Sequence, residues 1–274
     1  MKKLLIYITA LFLFTSCKTD VELTINKSYL FLSHTRTGNN KSINKEAESI
    51  DYSKYNMLLL GGDLAYTSSD DDSTLSYLDS FFDLGNINTL WSLGNHDNSN
   101  LDLIKDYTNR NNYYTHHSDG ITFIVLDTQD SFSNIVGDQL LFLNNVMDTI
   151  QSSTHLILLH HKLIWMLDNG ILESKIKDIS NVSIGEEFYA LNHNNFYQDI
   201  YPKLKLIQSK NIDVICIGGD VGNKTTEFEY ITEDGIQFLA SGISYYKEGN
   251  KALLFHHNTI KNNINWEFKL LPDL

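Results

Sequence analysis

The strongest constraint on this chain is a recurrence: short apolar runs, each stopping at a polar cluster. Residues 29–32 stop at Ser33-His34-Thr35-Arg36, residues 57–60 at Gly61-Gly62-Asp63, and residues 89–93 at Gly94-Asn95-His96-Asp97. Residues 121–126 stop at Asp127, residues 155–159 at His160-His161, and residues 214–217 at Gly218-Gly219-Asp220. Runs this short, bounded by glycine and polar residues, fit strands buried on both faces. Segments with apolar residues at helical spacing lie between them. Leu75, Leu78, Phe81 and Phe82 form one stripe within 73–84; Leu140, Leu141, Leu143 and Val146 form another within 137–150; residues 197–210 form a third. Strands alternating with helices predict an α/β layered fold, with functional groups gathered at the carboxyl ends of the strands. Residues 226–271 alternate more and are expected to close a second sheet with antiparallel strands near 226–231, 237–240, 252–256 and 266–270. Residues 168–196 form a long polar connection carrying Glu186, Glu187 and His193, a length typical of functional loops.

Composition bears on what such strand ends could bind. The chain is 42% hydrophobic with only two prolines in 274 residues, enough apolar surface for a sizeable core and unlike a disordered or collagen-like chain. Its formal net charge is −13, and only Arg36 and Arg110 are arginines. No basic face for a nucleic-acid backbone is expected. An anion would have to be met by a small, focused positive site.

The start of the chain reads as an address. Lys2 and Lys3 precede an apolar stretch at 4–14, too short to span a bilayer and suited to a signal peptide core. Phe14-Thr15-Ser16-Cys17 resembles a bacterial lipobox, although Phe14 is unusual at its position; a plain secretory signal is the other reading. The expected organisation is a signal peptide at 1–16, a tether at 17–28 after a lipidated Cys17, and one domain at 29–274. Such a protein would be held to a membrane of the bacterial cell envelope by lipid alone. Cys216 sits in an apolar run and reads as a small buried hydrophobe, not half of a disulfide.

The order Gly61-Gly62-Asp63, Gly94-Asn95-His96-Asp97, His160-His161 and Gly218-Gly219-Asp220 resembles the calcineurin-like metallophosphoesterases. The resemblance covers most of the chain after residue 29. It implies a four-layer α/β/β/α sandwich, with two mixed sheets flanked by helices and metal ions at the strand ends. Carried over position by position, it implies that Asp63 bridges two metals and that Asn95 and His160 bind the second metal. His96 would contact phosphate and protonate the leaving group, with Asp97 orienting it.

The departures from that family matter as much. Its first motif, D-x-H, is here His34-Thr35-Arg36, and its last, GH-x-H, is Gly219-Asp220-Val221-Gly222. Arginine remains a cation and cannot ligate a metal. Asp63, Asn95, His160 and Asp220 are then left to hold one divalent ion, Mn, Fe, Zn or Mg by the oxygen-rich donor set. Arg36 would stand as a fixed cation in the other ion's place, its planar fork suited to phosphate. His34 is a candidate base, and if protonated would add positive charge. The reaction implied is hydrolysis of a small phosphorylated substrate. Two alternatives stay open: a degenerate fold that binds a phosphorylated envelope ligand without turnover, and metal-dependent cleavage of a non-phosphate ester. Taken singly, Asp63 and Asp220 would equally suit helix caps, and His34 with Arg36 a structural ion pair. His116-His117 and His256-His257 match no motif and read as surface or structural.

Overall fold

The computed structural model describes residues 26–38, 41–182, 184–185 and 191–274. The signal segment, Cys17, most of the tether, Glu186 and Glu187 lie outside the described residues. None of the described helices is long and apolar enough to cross a membrane.

Eleven strands form two sheets among the described residues. β1 (Asn26–Leu32), β2 (Met57–Leu60) and β3 (Thr89–Trp91) run parallel in the first. β4 (Tyr114–Ser118), β5 (Ile121–Val125), β6 (His155–His160), β7 (Asp213–Gly218), β8 (Glu227–Ile231) and β9 (Gln237–Ser241) form the second, in the order β4-β5-β6-β7-β9-β8. β10 (Lys251–Asn258) and β11 (Asn263–Leu270) return to the first sheet, which reads β11-β10-β1-β2-β3. Residues 226–271 therefore do not close one sheet. β8 and β9 extend the second, where β9 lies parallel to β7, and β10 pairs antiparallel with β1. The helices are α1 (Lys45–Glu48), α2 (Asp72–Phe82), α3 (Leu101–Thr108), α4 (Gly137–Thr149), α5 (Ile176–Ile179) and α6 (Tyr201–Gln208), the last entered through a π turn at Phe196–Ile200.

Strand periodicity divides the interior into three cores and the molecule into four layers. Tyr29 and Phe31 of β1 and Leu59 of β2 point toward the second sheet, meeting Phe123, Val125, Ile157, Leu159, Ile215 and Ile217. Their neighbours Leu30, Leu32, Leu58 and Leu60 point outward onto Leu75, Leu78 and Phe82 of α2. On the far side, Leu156, Leu158, Val214 and Cys216 pack against Leu143 and Met147 of α4 and Leu204 and Ile207 of α6. Cys216 is fully buried and unpaired, and desolvation pushes its thiol pKa up. The helix starts are chemically marked: Asp71 accepts from the Thr74 N–H at 2.9 Å, and Asn100 from the Leu103 N–H at 3.1 Å.

Both sheets end their parallel strands on the same side. Ser33 joins the two sets of loops, donating to the carbonyls of Gly62, at 3.1 Å, and Gly219, at 2.7 Å.

Candidate active site

The loops after β1, β2 and β3 meet those after β6 and β7 around a cavity of about 330 Å³. It is lined by His34, Arg36, Asp63, Asn95, His96, Asn181, Asp220 and Asn223. A larger cleft of about 430 Å³ opens at the opposite ends of β2 and β3, beside Tyr52, Tyr55 and Phe81, but among the described residues no histidine, lysine or arginine lines it. The smaller cavity is where the chemistry is concentrated.

Its backbone is held in an uncommon form. His34 and Asp63 have φ of 54° and 56°, in the left-handed region that side chains with a Cβ seldom occupy. The fully buried carboxylate of Asp97 fixes the Asp63 loop. It accepts from the backbone N–H groups of Asp63 (2.6 Å), Gly94 (2.7 Å) and Leu64 (3.1 Å) and from the Ser68 hydroxyl. Gly94 must lack a side chain, since a Cβ there would fall 2.1 Å from Asp63 Oδ1. Asp97 was expected to orient His96; instead, His96 Nδ1 donates to the Tyr66 carbonyl at 2.6 Å. Asp97 spends its lone pairs on the loops.

The Asp63 carboxylate has two differently furnished sides. Toward Oδ1 stands His161, with Nε2 at 3.6 Å and also 4.0 Å from Asp220 Oδ1. The His96 N–H donates to the same Oδ1 at 3.1 Å. Toward Oδ2 stand His34 Nε2 at 3.8 Å and Arg36 Nε at 3.7 Å. Arg36 also lies over the Tyr66 ring at 5.9 Å and donates to the Gly38 carbonyl at 3.4 Å.

His161, not His160, faces the other site residues. His160 was expected as the ligand, but its ring turns away and Nδ1 donates to the Lys162 carbonyl at 2.8 Å. Side-chain alternation along β6 explains this. Ile157 and Leu159 face the other sheet while Leu156 and Leu158 face the helices, so His161 continues the inward row and His160 the outward one. That parity was available in the sequence.

The buried charges bias one another. Burial opposes charge on Asp63, but the rings of His161, His34 and His96 outweigh it and hold the carboxyl below the usual range. Burial raises the pKa of Asp220, with Asp63 adding to the shift. Desolvation works against charge on His161, yet Asp63 and Asp220 raise its pKa overall. His34 goes the other way: desolvation lowers its pKa to about 4, so it is neutral near pH 7 and adds no cation. Lys162, unmarked by any sequence motif, is buried behind the site. Its ammonium makes no hydrogen bond, and desolvation lowers its pKa against the pull of Asp220 and Asp127.

Among the described residues no group of three or more His, Cys, Asp and Glu side chains is placed, as they stand, to hold a metal ion. The donors nevertheless suit an ion. His161 Nδ1 donates to the Gly61 carbonyl at 2.7 Å, which leaves a lone pair on Nε2 if the ring is neutral. That Nε2 and Asp220 Oδ2 are both buried without a hydrogen bond. The 3.6 and 4.0 Å separations are slightly wider than the roughly 3.0–3.5 Å between two ligands each ~2.1 Å from one ion. Asn95 lines the same cavity. The other candidates lie elsewhere. His193 is exposed and pairs with Asp168 at 3.2 Å. His117 bonds Thr122, His256 pairs with Glu267, and His257 bonds Tyr29. His116 packs on Phe123.

The family model for calcineurin-like phosphoesterases matches residues 33–182. Among solved structures, a dimetal phosphatase from Danio rerio superposes with a TM-score of 0.59 at 10% identity, covering 89% of this chain and 96% of that one. A NAD nucleotidase from Haemophilus influenzae aligns at a TM-score of 0.44 and 15% identity, over 90% of this chain and 50% of that one. No curated protein matches the chain significantly.

Proposed function

Because this chain belongs to the calcineurin-like phosphoesterase family, we propose that it hydrolyses phosphate esters with one divalent metal ion, Arg36 serving where a second ion would stand. One observation carries this reading. Asp63 presents one oxygen to His161, which also faces Asp220, and the other to His34 and the Arg36 guanidinium. His161, Asp63, Asp220 and Asn95 would hold the ion. When bound, it would supply Lewis acidity to a phosphoryl oxygen and lower the pKa of water.

The protein's own groups do the rest. Arg36, braced by Asp63 and Tyr66, holds the phosphoryl oxygens. Neutral His34 donates Nδ1–H to the Ile243 carbonyl at 3.0 Å, leaving the Nε2 lone pair to orient the attacking water. His96, held through Nδ1, gives a proton from Nε2 to the leaving oxygen as the P–O bond breaks. The mature protein would be tethered to the cell envelope through Cys17.

The decisive experiment combines metal analysis with turnover of 4-nitrophenyl phosphate and its diester after chelation and reloading. One ion per chain and metal-dependent hydrolysis are expected, with His96→Ala slowing kcat at least ~100-fold. Two ions per chain would rule out the Arg36 substitution. Phosphate binding without turnover would favour the degenerate, ligand-binding reading. Cys17→Ser should move the protein from the membrane fraction to the soluble one; an unchanged distribution would refute the anchor.

A further inference from the structure

The Asp97 carboxylate is committed to backbone N–H groups and to Ser68, so it does not orient the His96 ring. The loop after β2 does part of that work through its backbone. The Tyr66 carbonyl accepts from His96 Nδ1 at 2.6 Å, and the Ser68 N–H donates to the His96 carbonyl at 2.9 Å. One hydrogen bond to an imidazole fixes a point on the ring and leaves its plane free.

The Tyr66 side chain supplies what that bond leaves open. Its ring lies 5.0 Å from the His96 ring, at an interplanar angle of 41°. The Arg36 guanidinium lies over the same ring, with Cζ 5.9 Å from the centroid. Among the described residues no other ring packs on either group. Arg36 has little else to fix its plane. Its one side-chain hydrogen bond is the long one to Gly38, at 3.4 Å, and its Nε is buried without any. A planar cation resting on an aromatic face gains both attraction and a preferred orientation.

Arg36, Tyr66 and His96 come from three different loops, after β1, β2 and β3. The chemistry asks Arg36 and His96 to meet opposite ends of one scissile bond, the phosphoryl oxygens and the leaving oxygen. Their spacing therefore has to be held, since a displacement of about 1 Å costs on the order of 100-fold in rate. We propose that Tyr66 is a positioning residue whose ring sets the span between the Arg36 cation and the His96 acid. This rests on the phosphoester-hydrolase reading and adds to it a part for a residue that no motif marks.

The test uses the manganese-loaded full chain, with 4-nitrophenyl phosphate for turnover and calorimetry for inorganic phosphate. Tyr66→Leu keeps the backbone carbonyl and removes the ring. It should lower kcat about tenfold through His96, and weaken phosphate binding about fivefold through Arg36. Tyr66→Phe should restore both values. Tyr66→Met, unbranched and without a ring, should repeat the Leu pattern and guards against a misfolded Leu variant. Manganese affinity should be the same in all of them. Double-mutant cycles separate positioning from a general structural role. In a His96→Ala background Tyr66→Leu should take nothing more from kcat, and in an Arg36→Ala background nothing more from phosphate affinity. Losses that add in full in both backgrounds, or a loss of manganese binding, would overturn the proposal. So would a Tyr66→Phe variant as impaired as Tyr66→Leu, because the hydroxyl would then be the working part. A wild type that binds phosphate and hydrolyses no ester would sink the hydrolase reading. The phosphate affinities alone would then decide the proposal, and an affinity indifferent to the ring would overturn it.

Discussion

At the scale of single residues, His160 and His161 are adjacent in sequence and opposite in surroundings. His161 Nε2 looks onto two carboxylates, whereas His160 is locked to a carbonyl on the helix side. His161→Ala should therefore abolish metal binding in a calorimetric titration, while His160→Ala should keep the metal and lose folding stability instead. Retained metal binding in His161→Ala would refute the ligand assignment. His160 also makes a pH prediction. Desolvation depresses its pKa from 6.5 to about 4. As pH falls through that window the unfolded chain takes up a proton that the folded ring refuses, so the native state loses stability. His160→Gln can still donate to the Lys162 carbonyl and lacks this titration. Between pH 7 and pH 4 wild type should lose up to ~3 kcal/mol more than the variant, read from urea unfolding. Parallel pH profiles would show that His160 titrates normally. The residue types of the site were legible in the sequence; choosing between neighbours required the strand parity of Ile157 and Leu159.

At the scale of elements, the site depends on loops tied to one another more than on the strands that end there. Asp97 is the clearest case, a carboxylate from the loop after β3 that holds the loop after β2 in its left-handed turn at Asp63. Asn cannot replace it. One end of the amide would become N–H, facing either the Asp63 and Gly94 donors or the Leu64 and Ser68 donors. Asp97→Asn should cost ~2–4 kcal/mol in chemical unfolding and weaken metal binding, with the His96 ring still held by Tyr66. A variant as stable as wild type would show that the clamp is dispensable. The sequence exposed these loops through their Gly-Asp and Gly-Asn-His-Asp strings, and the strands through their uniform apolar character. It hid α3, which at eight residues is too short to repeat its apolar spacing over several turns. It also hid the parting of β9 from β10. Alternation announces a strand but does not say which sheet edge it joins, and that choice is made by long-range pairing such as Leu254 opposite Leu30.

At the scale of the whole molecule, the site exists only where two sheets are docked. His34, Arg36, Asp63, Asn95 and His96 come from loops of the first sheet; His161, Asn181, Asp220 and Asn223 come from the second. The inter-sheet core of Phe31, Phe123, Ile157 and Ile217 brings the halves together, and Ser33 stitches their loops. In a protein of net charge −13, one arginine, Arg36, lines this cavity. An ion bridging Asp63 of one sheet and His161 and Asp220 of the other would bind only the docked state. Mass action then requires that it stabilise the entire fold. At free metal about 100-fold above Kd the gain is ~2.7 kcal/mol, a rise of a few degrees in Tm for a domain of this size. Thermal melts with manganese and with chelator should differ by that amount in wild type and coincide in His161→Ala. A wild-type melt unmoved by metal that calorimetry shows to be bound would mean that the ion sits outside the junction of the sheets.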